Sequence, residues 1–187
     1  MKKKIVIFIS GRGTNALNII NQFRDSDEIS VTNVYSNNKN SPFFKSQDDS
    51  KVSTSCFSND QLSSSVFEEL KTIDPDLIVL AGFLRKIPDT YIDYFENKII
   101  NIHPSILPSY GGKGMYGSKI HNKVIENNES ETGITIHYVS NQYDSGEIIF
   151  QKKIIIEDND TAKSIEEKIH ILEYEYYPKV IQSILFK

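Results

Sequence analysis

Short apolar runs rich in β-branched residues alternate with segments that carry their apolar residues at helical spacing, and this alternation constrains the fold most. Ile5–Ile9, Ile29–Tyr35, Leu77–Leu80 and Ile99–Ile102 read as buried strands, while Ala16–Phe23 and Val66–Ile73 between them read as helices. Strands separated by helices pair in parallel, because the crossover returns the chain to the same end of the sheet. The runs Ile134–Val139 and Ile148–Ile156 are longer and more alternating, which predicts an antiparallel edge. A last helix opens near Thr161 and places Ile165, Ile169, Leu172 and Tyr176 on one stripe, and Pro178 should end or bend it. The polar stretch Ser36–Ser50 suits a surface loop with a short helix. The expectation is one doubly wound α/β domain over residues 1–187.

Composition narrows the function. A formal charge of −4 argues against a nucleic-acid surface, which is normally basic. The one cysteine, Cys56, excludes an internal disulfide and offers no zinc framework, and it reads as a small buried apolar residue. Lys2-Lys3-Lys4 leads straight into a short apolar run that Gly11-Arg12-Gly13 interrupts, so it reads as the approach to a strand rather than a secretion signal. No apolar stretch reaches membrane-spanning length. A cytoplasmic protein with small-molecule partners, no nucleic acid and no membrane is expected, as a monomer or homodimer.

Asn101-Ile102-His103-Pro104 is the segment richest in chemistry. In a strand, residues two apart share a face, so Asn101 and His103 project side by side where the strand leaves the sheet. A carboxamide donor beside a titratable imidazole can hold a carbonyl oxygen and move protons around it, and equally can cap a strand end. Gly11-Arg12-Gly13-Thr14-Asn15-Ala16 joins a strand to a helix, where free N–H groups favour an anion. It satisfies G-x-G-x-x-A, but Tyr35-Ser36-Asn37-Asn38 lacks the acid that a dinucleotide ribose needs, which points to a single phosphate. Gly112-Lys113-Gly114-Met115-Tyr116-Gly117-Ser118-Lys119 is not a P-loop, since Gly-Lys-Ser/Thr is out of order and no strand precedes it. Asp144 before Ser145-Gly146 has the look of a turn residue. His121 and His170 lie on helical patterns and read as surface residues.

Asn101 to Pro108, with Gly11–Asn15, Leu80–Arg85, Gly133–Tyr138, Tyr143–Gln151, Glu173 and Tyr177-Pro178, resembles the folate-dependent formyltransferases from the first strand to the last helix. The resemblance implies a Rossmann-like three-layer formyltransferase fold, α/β, with a mostly parallel sheet and an antiparallel edge. It implies formyl transfer from 10-formyltetrahydrofolate, as co-substrate and without a metal, to the glycyl amine of 5'-phosphoribosylglycinamide in purine biosynthesis. The catalytic residues would be Asn101, His103 and Asp144, acting on a tetrahedral intermediate, with His137 in support. Gly13, Thr14 and Asn15 would hold the phosphate and Glu173 the ribose, while Leu84, Arg85, Lys86, Ile87 and Asn101 would bind the folate. Relatives often carry an Arg near Asn59 for the folate tail, and Ser58-Asn59-Asp60-Gln61 has none. The loop Gly111–Gly117 also departs from the family's usual Pro-Gly and His.

Other branches share the Asn-x-His…Asp constellation. The tRNA-directed branch usually adds a C-terminal domain and a basic surface, and the formyltetrahydrofolate hydrolases an N-terminal regulatory domain. Sugar-nucleotide formylation and a non-catalytic nucleotide- or folate-binding module complete the alternatives. Joint retention of Asn101, His103 and Asp144 favours an enzyme, because binding alone needs no acid–base pair.

Overall fold

The computed structural model describes residues 1–47 and 51–187. Along the chain run β1 (Lys3–Ile9), α1 (Thr14–Phe23), β2 (Ile29–Ser36), α2 (Phe43–Ser46), β3 (Ser53–Cys56), α3 (Asn59–Leu62) and α4 (Ser65–Ile73). There follow β4 (Leu77–Leu80), α5 (Asp89–Tyr94), β5 (Ile99–His103), α6 (Ser118–Glu126), β6 (Glu131–Tyr138), β7 (Ile148–Ile155) and α7 (Ala162–Leu185). The strands form one seven-stranded sheet in the order β3-β2-β1-β4-β5-β6-β7. Pairing is parallel from β3 through β5 and antiparallel for β5–β6 and β6–β7. The α/β class, the parallel body and the antiparallel edge therefore stand as the sequence reading has them.

Two apolar layers sandwich the sheet. On one face, Ile5, Ile7 and Ile9 of β1 pack with Ile19 and Phe23 of α1 and with Ile165, Ile169 and Ile181 of α7. On the other, Val6 and Phe8 pack with Tyr35, Leu70, Tyr91 and Phe95. Alternation along a strand buried on both sides explains why β1 reads as an unbroken apolar run. Strand β1 lies between β2 and β4, so the chain winds outward on one side and then on the other. The crevice beyond the carboxyl ends of β1 and β4 is thus a topological switch point, where open α/β sheets bind ligands.

Several expectations are corrected. Cys56 is exposed, because it closes β3 at the edge of the sheet, where little packs on it. Pro178 does not end α7, which runs through it. The buried stripe of that helix turns to Tyr177, which is fully buried, while Tyr176 is half-buried and stacks on Phe150 at 5.0 Å. His121 is buried rather than superficial, and His170 is half-buried. In the polar stretch Ser36–Ser50, the short helix is α2, and positions 48–50 lie outside the described residues. Among the described residues no helix is long and apolar enough to cross a membrane.

Candidate active site

Strands β5 and β6 pair in a register that sets Asn101 opposite His137 and His103 opposite Thr135. Residues two apart share a face, so the four side chains form one block at the edge of the parallel region. Asn101 Nδ2 donates to His137 Nε2 at 3.2 Å, and His137 Nδ1 lies 2.8 Å from the Tyr138 carbonyl oxygen. A carbonyl only accepts, so His137 carries its proton on Nδ1 and offers a lone pair at Nε2. Burial lowers the pKa of His137, outweighing the Tyr138 carbonyl and Asp144, which agrees with a neutral ring. Its 3.8 Å approach to Asp144 is accordingly not an ion pair, although the distance alone would admit one. With one amide proton on His137, Asn101 retains the other for a ligand.

His103 is 4% exposed, and its Nδ1 lies 3.6 Å from Asp144 Oδ1. Its Nε2 donates to the Tyr110 carbonyl at 2.8 Å, which fixes one ring proton there. Asp144 sits in a turn with φ 53° and accepts from the Gly112 backbone N–H at 2.9 Å. The turn is held tightly to β6. A Cβ on Gly146 would lie 1.7 Å from the Tyr138 carbonyl oxygen, so only glycine fits there. The loop after β5 is braced from below by Thr135. Its hydroxyl donates to the Ser105 carbonyl at 2.7 Å and accepts from Leu107 N–H at 3.0 Å.

In front of this block opens a cavity of about 550 Å³. Its far end is the first turn of α1, capped by Gly13 in the left-handed region at φ 72°. A side chain on Gly13 would meet Phe43 at 2.8 Å, so the turn admits only glycine and its N–H groups stay accessible to an anion. Asn15, in the same turn, donates through Nδ2 to Glu173 Oε2 at 2.9 Å. Glu173 is 6% exposed, and burial pushes its pKa up to about 7 against the opposing Asn15 hydrogen bond.

A smaller cleft of about 60 Å³ meets the cavity at Asn101 and Asp144, between Arg85–Ile87 and the segment from Val139 to Asp144. Leu84 N–H is occupied by Ser10 Oγ at 2.9 Å. The backbone groups of Arg85, Lys86 and Ile87 make no hydrogen bond among the described residues, which leaves an edge of donors and acceptors for a flat heterocycle. The residues singled out in the sequence thus converge on two adjoining clefts. The sequence reading missed the Tyr110 carbonyl and the Gly112 N–H, which no side-chain pattern can signal. It also missed His121, whose flanking Ile120 and Val124 mark a buried helix face.

A family model described as formyl transferase matches residues 3–181. The chain belongs to the formyl transferase family. Among similar proteins, the chloroplastic phosphoribosylglycinamide formyltransferase of Vigna unguiculata is 33% identical over 198 residues, covering 98% of this chain and 61% of that protein. The phosphoribosylglycinamide formyltransferase of Bacillus subtilis is 32% identical over 190 residues, covering 98% and 95%. The chain therefore spans about three fifths of the plant relative and nearly all of the bacillar one. Among solved structures, the phosphoribosylglycinamide formyltransferase of Bacillus halodurans superposes with a TM-score of 0.88 at 30% identity, covering 99% of this chain and 96% of that one. The glycinamide ribonucleotide transformylase 1 of Geobacillus kaustophilus gives 0.88 at 31%, covering 99% and 100%. Within the formyl transferase family, the likeness to enzymes so named thus extends over nearly the whole chain.

Proposed function

We propose that this chain transfers the formyl group of 10-formyltetrahydrofolate to the glycyl amine of phosphoribosylglycinamide. The observation that carries the reading is the meeting of two clefts at Asn101 and Asp144, with His103 on the wall of the larger one. The larger has an anion-binding turn at its far end, and the smaller has a free backbone edge suited to a pterin. A phosphate on Gly13–Asn15 and a ribose near Glu173 direct the amine toward the sheet. The formyl carbon lies at the junction.

The amine nitrogen bonds to the formyl carbon, and the carbonyl oxygen takes up negative charge. The second amide proton of Asn101 meets that oxygen. His103 supplies the adjacent acid, and for this its Nε2 proton must leave the Tyr110 carbonyl that holds it at 2.8 Å. Asp144 holds the other side of the ring and receives the proton that the attacking nitrogen loses. The carbon–N10 bond then breaks as His103 protonates N10 and Asp144 returns its proton to the ring at Nδ1, so one proton passes from the amine to N10 and none is consumed. The donor already carries its carbon at the formyl oxidation level, so no redox step arises and a chelator should leave turnover unchanged.

The test is formyl transfer to phosphoribosylglycinamide by wild type, Asn101→Ala, His103→Ala and Asp144→Asn. Loss of an oxyanion donor or acid–base partner should lower kcat by roughly 10²–10³ with the fold intact. Formate release without transfer would assign a hydrolase, and nucleotide binding without either product would assign a binding module.

A further inference from the structure

His121 is a buried titratable group that the reaction described above does not use. It lies on α6 just after the glycine-rich loop, on the helix face with Ile120 and Val124, and is 2% exposed. Its ring lines the same cavity as Gly13–Asn15 and Glu173. Its Nδ1 is buried without a hydrogen-bond partner among the described residues, and so is Asn15 Oδ1 in the first turn of α1. Buried polar atoms are almost always paired, so two unpaired ones on residues that line one cavity from different elements call for a ligand that pairs them.

The chemistry of the wall says which ligand. Asn15 Oδ1 only accepts, and a neutral imidazole with its proton on Nε2 accepts at Nδ1. Burial lowers the pKa of His121, against the opposing influence of Glu166, which keeps the ring neutral. The two unpaired atoms then both call for a donor. A phosphate oxygen brings none at neutral pH, whereas a sugar hydroxyl brings one and can accept in return. Resting on the functional reading above, we infer that His121 is a substrate-binding residue that pairs with a ribosyl hydroxyl of the nucleotide and so selects hydroxylated over deoxygenated sugars.

Calorimetric titration of wild type, His121→Ala and His121→Asn with phosphoribosylglycinamide and its 2-deoxy- and 3-deoxyribosyl analogues tests this. His121→Ala should bind the parent nucleotide several-fold to about tenfold more weakly. It should raise KM with little change in kcat and leave the affinity for a folate analogue untouched. One of the two deoxy analogues should lose no further affinity on the substitution, the mark of a shared contact. In wild type, the ¹⁵N resonance of the His121 Nδ1 should move on saturation with the nucleotide, a readout that needs no variant to fold. Equal affinity of wild type and His121→Ala, fully additive losses with both analogues, or an unmoved resonance would each overturn the assignment while leaving formyl transfer intact. Failure of wild type to bind phosphoribosylglycinamide at all would overturn both together.

Discussion

Glu173 shows how burial turns an ordinary carboxyl into a titrating group near neutrality. Its pKa rises from 4.5 to about 7 because water is excluded, and the Asn15 amide offsets only part of that. The folded protein keeps the proton between these values while the unfolded chain has lost it, so stability falls as pH rises through this window. The contribution is fully present below 4.5 and lost above about 7, with a span on the order of 3 kcal/mol. Urea unfolding from pH 4 to 8 should show wild type losing stability relative to Glu173→Gln across that range. Parallel profiles would place the carboxyl in an ordinary environment. In the sequence this residue is one more charge on a helix, and only the resemblance singles it out. Asn101 and His103 were legible from parity along a strand, because period-two geometry is a property of the backbone. Asp144 was not legible from the residues alone. Its approach to His103 depends on a turn placed by β6, and no local pattern encodes a contact across that sequence distance.

At the scale of elements, α7 runs through Pro178 because a neighbour makes up for the missing N–H. Without it, the carbonyl four residues back, that of Tyr174, loses its helical donor. Asn18 of α1 supplies one instead, donating through Nδ2 to the Tyr174 oxygen at 3.0 Å. The substitution Asn18→Ala should therefore cost about 1 kcal/mol in wild type. It should cost much less beside Pro178→Ala, where the backbone regains its own bond. A double-mutant cycle by chemical denaturation measures the difference, and full additivity would show that the two are not coupled. Of the two expected outcomes, an end or a bend, the end does not occur for this reason: the rule is local and the repair comes from another helix. Tyr177 ties the same helix to the sheet, its hydroxyl donating to the Leu80 carbonyl of β4 at 3.1 Å. Strands β1, β4 and β5 were readable because both their faces are buried. Strand β3 was not, since an edge strand with polar residues carries no apolar run.

At the scale of the whole molecule, the far ends of the two clefts draw on different parts of the chain, Gly13–Asn15 and Glu173 for one and Lys86, Ile87 and Val139 for the other, and the clefts meet around Asn101 and Asp144. Ligands should accordingly stabilise the protein independently. A nucleotide at a hundred times its Kd should contribute about 2.7 kcal/mol, which for a chain of this size raises Tm by roughly 5–10 °C. Wild type, His103→Ala and Asp144→Asn should show the same nucleotide-induced shift in a thermal melt, since on the proposed reading neither side chain holds phosphate or ribose. A shift lost in His103→Ala would mean that the acid also binds. The loop after β5 grips this junction through main-chain atoms alone, the Tyr110 oxygen on His103 and the Gly112 nitrogen on Asp144. Every amino acid but proline presents those same two atoms. What this rim must inherit is therefore backbone shape: Gly112 keeps its left-handed φ of 95° and a Cβ on Gly111 would meet Leu107 at 2.7 Å, while the side chains around these two glycines can drift over evolutionary time without disturbing His103 and Asp144 beneath them.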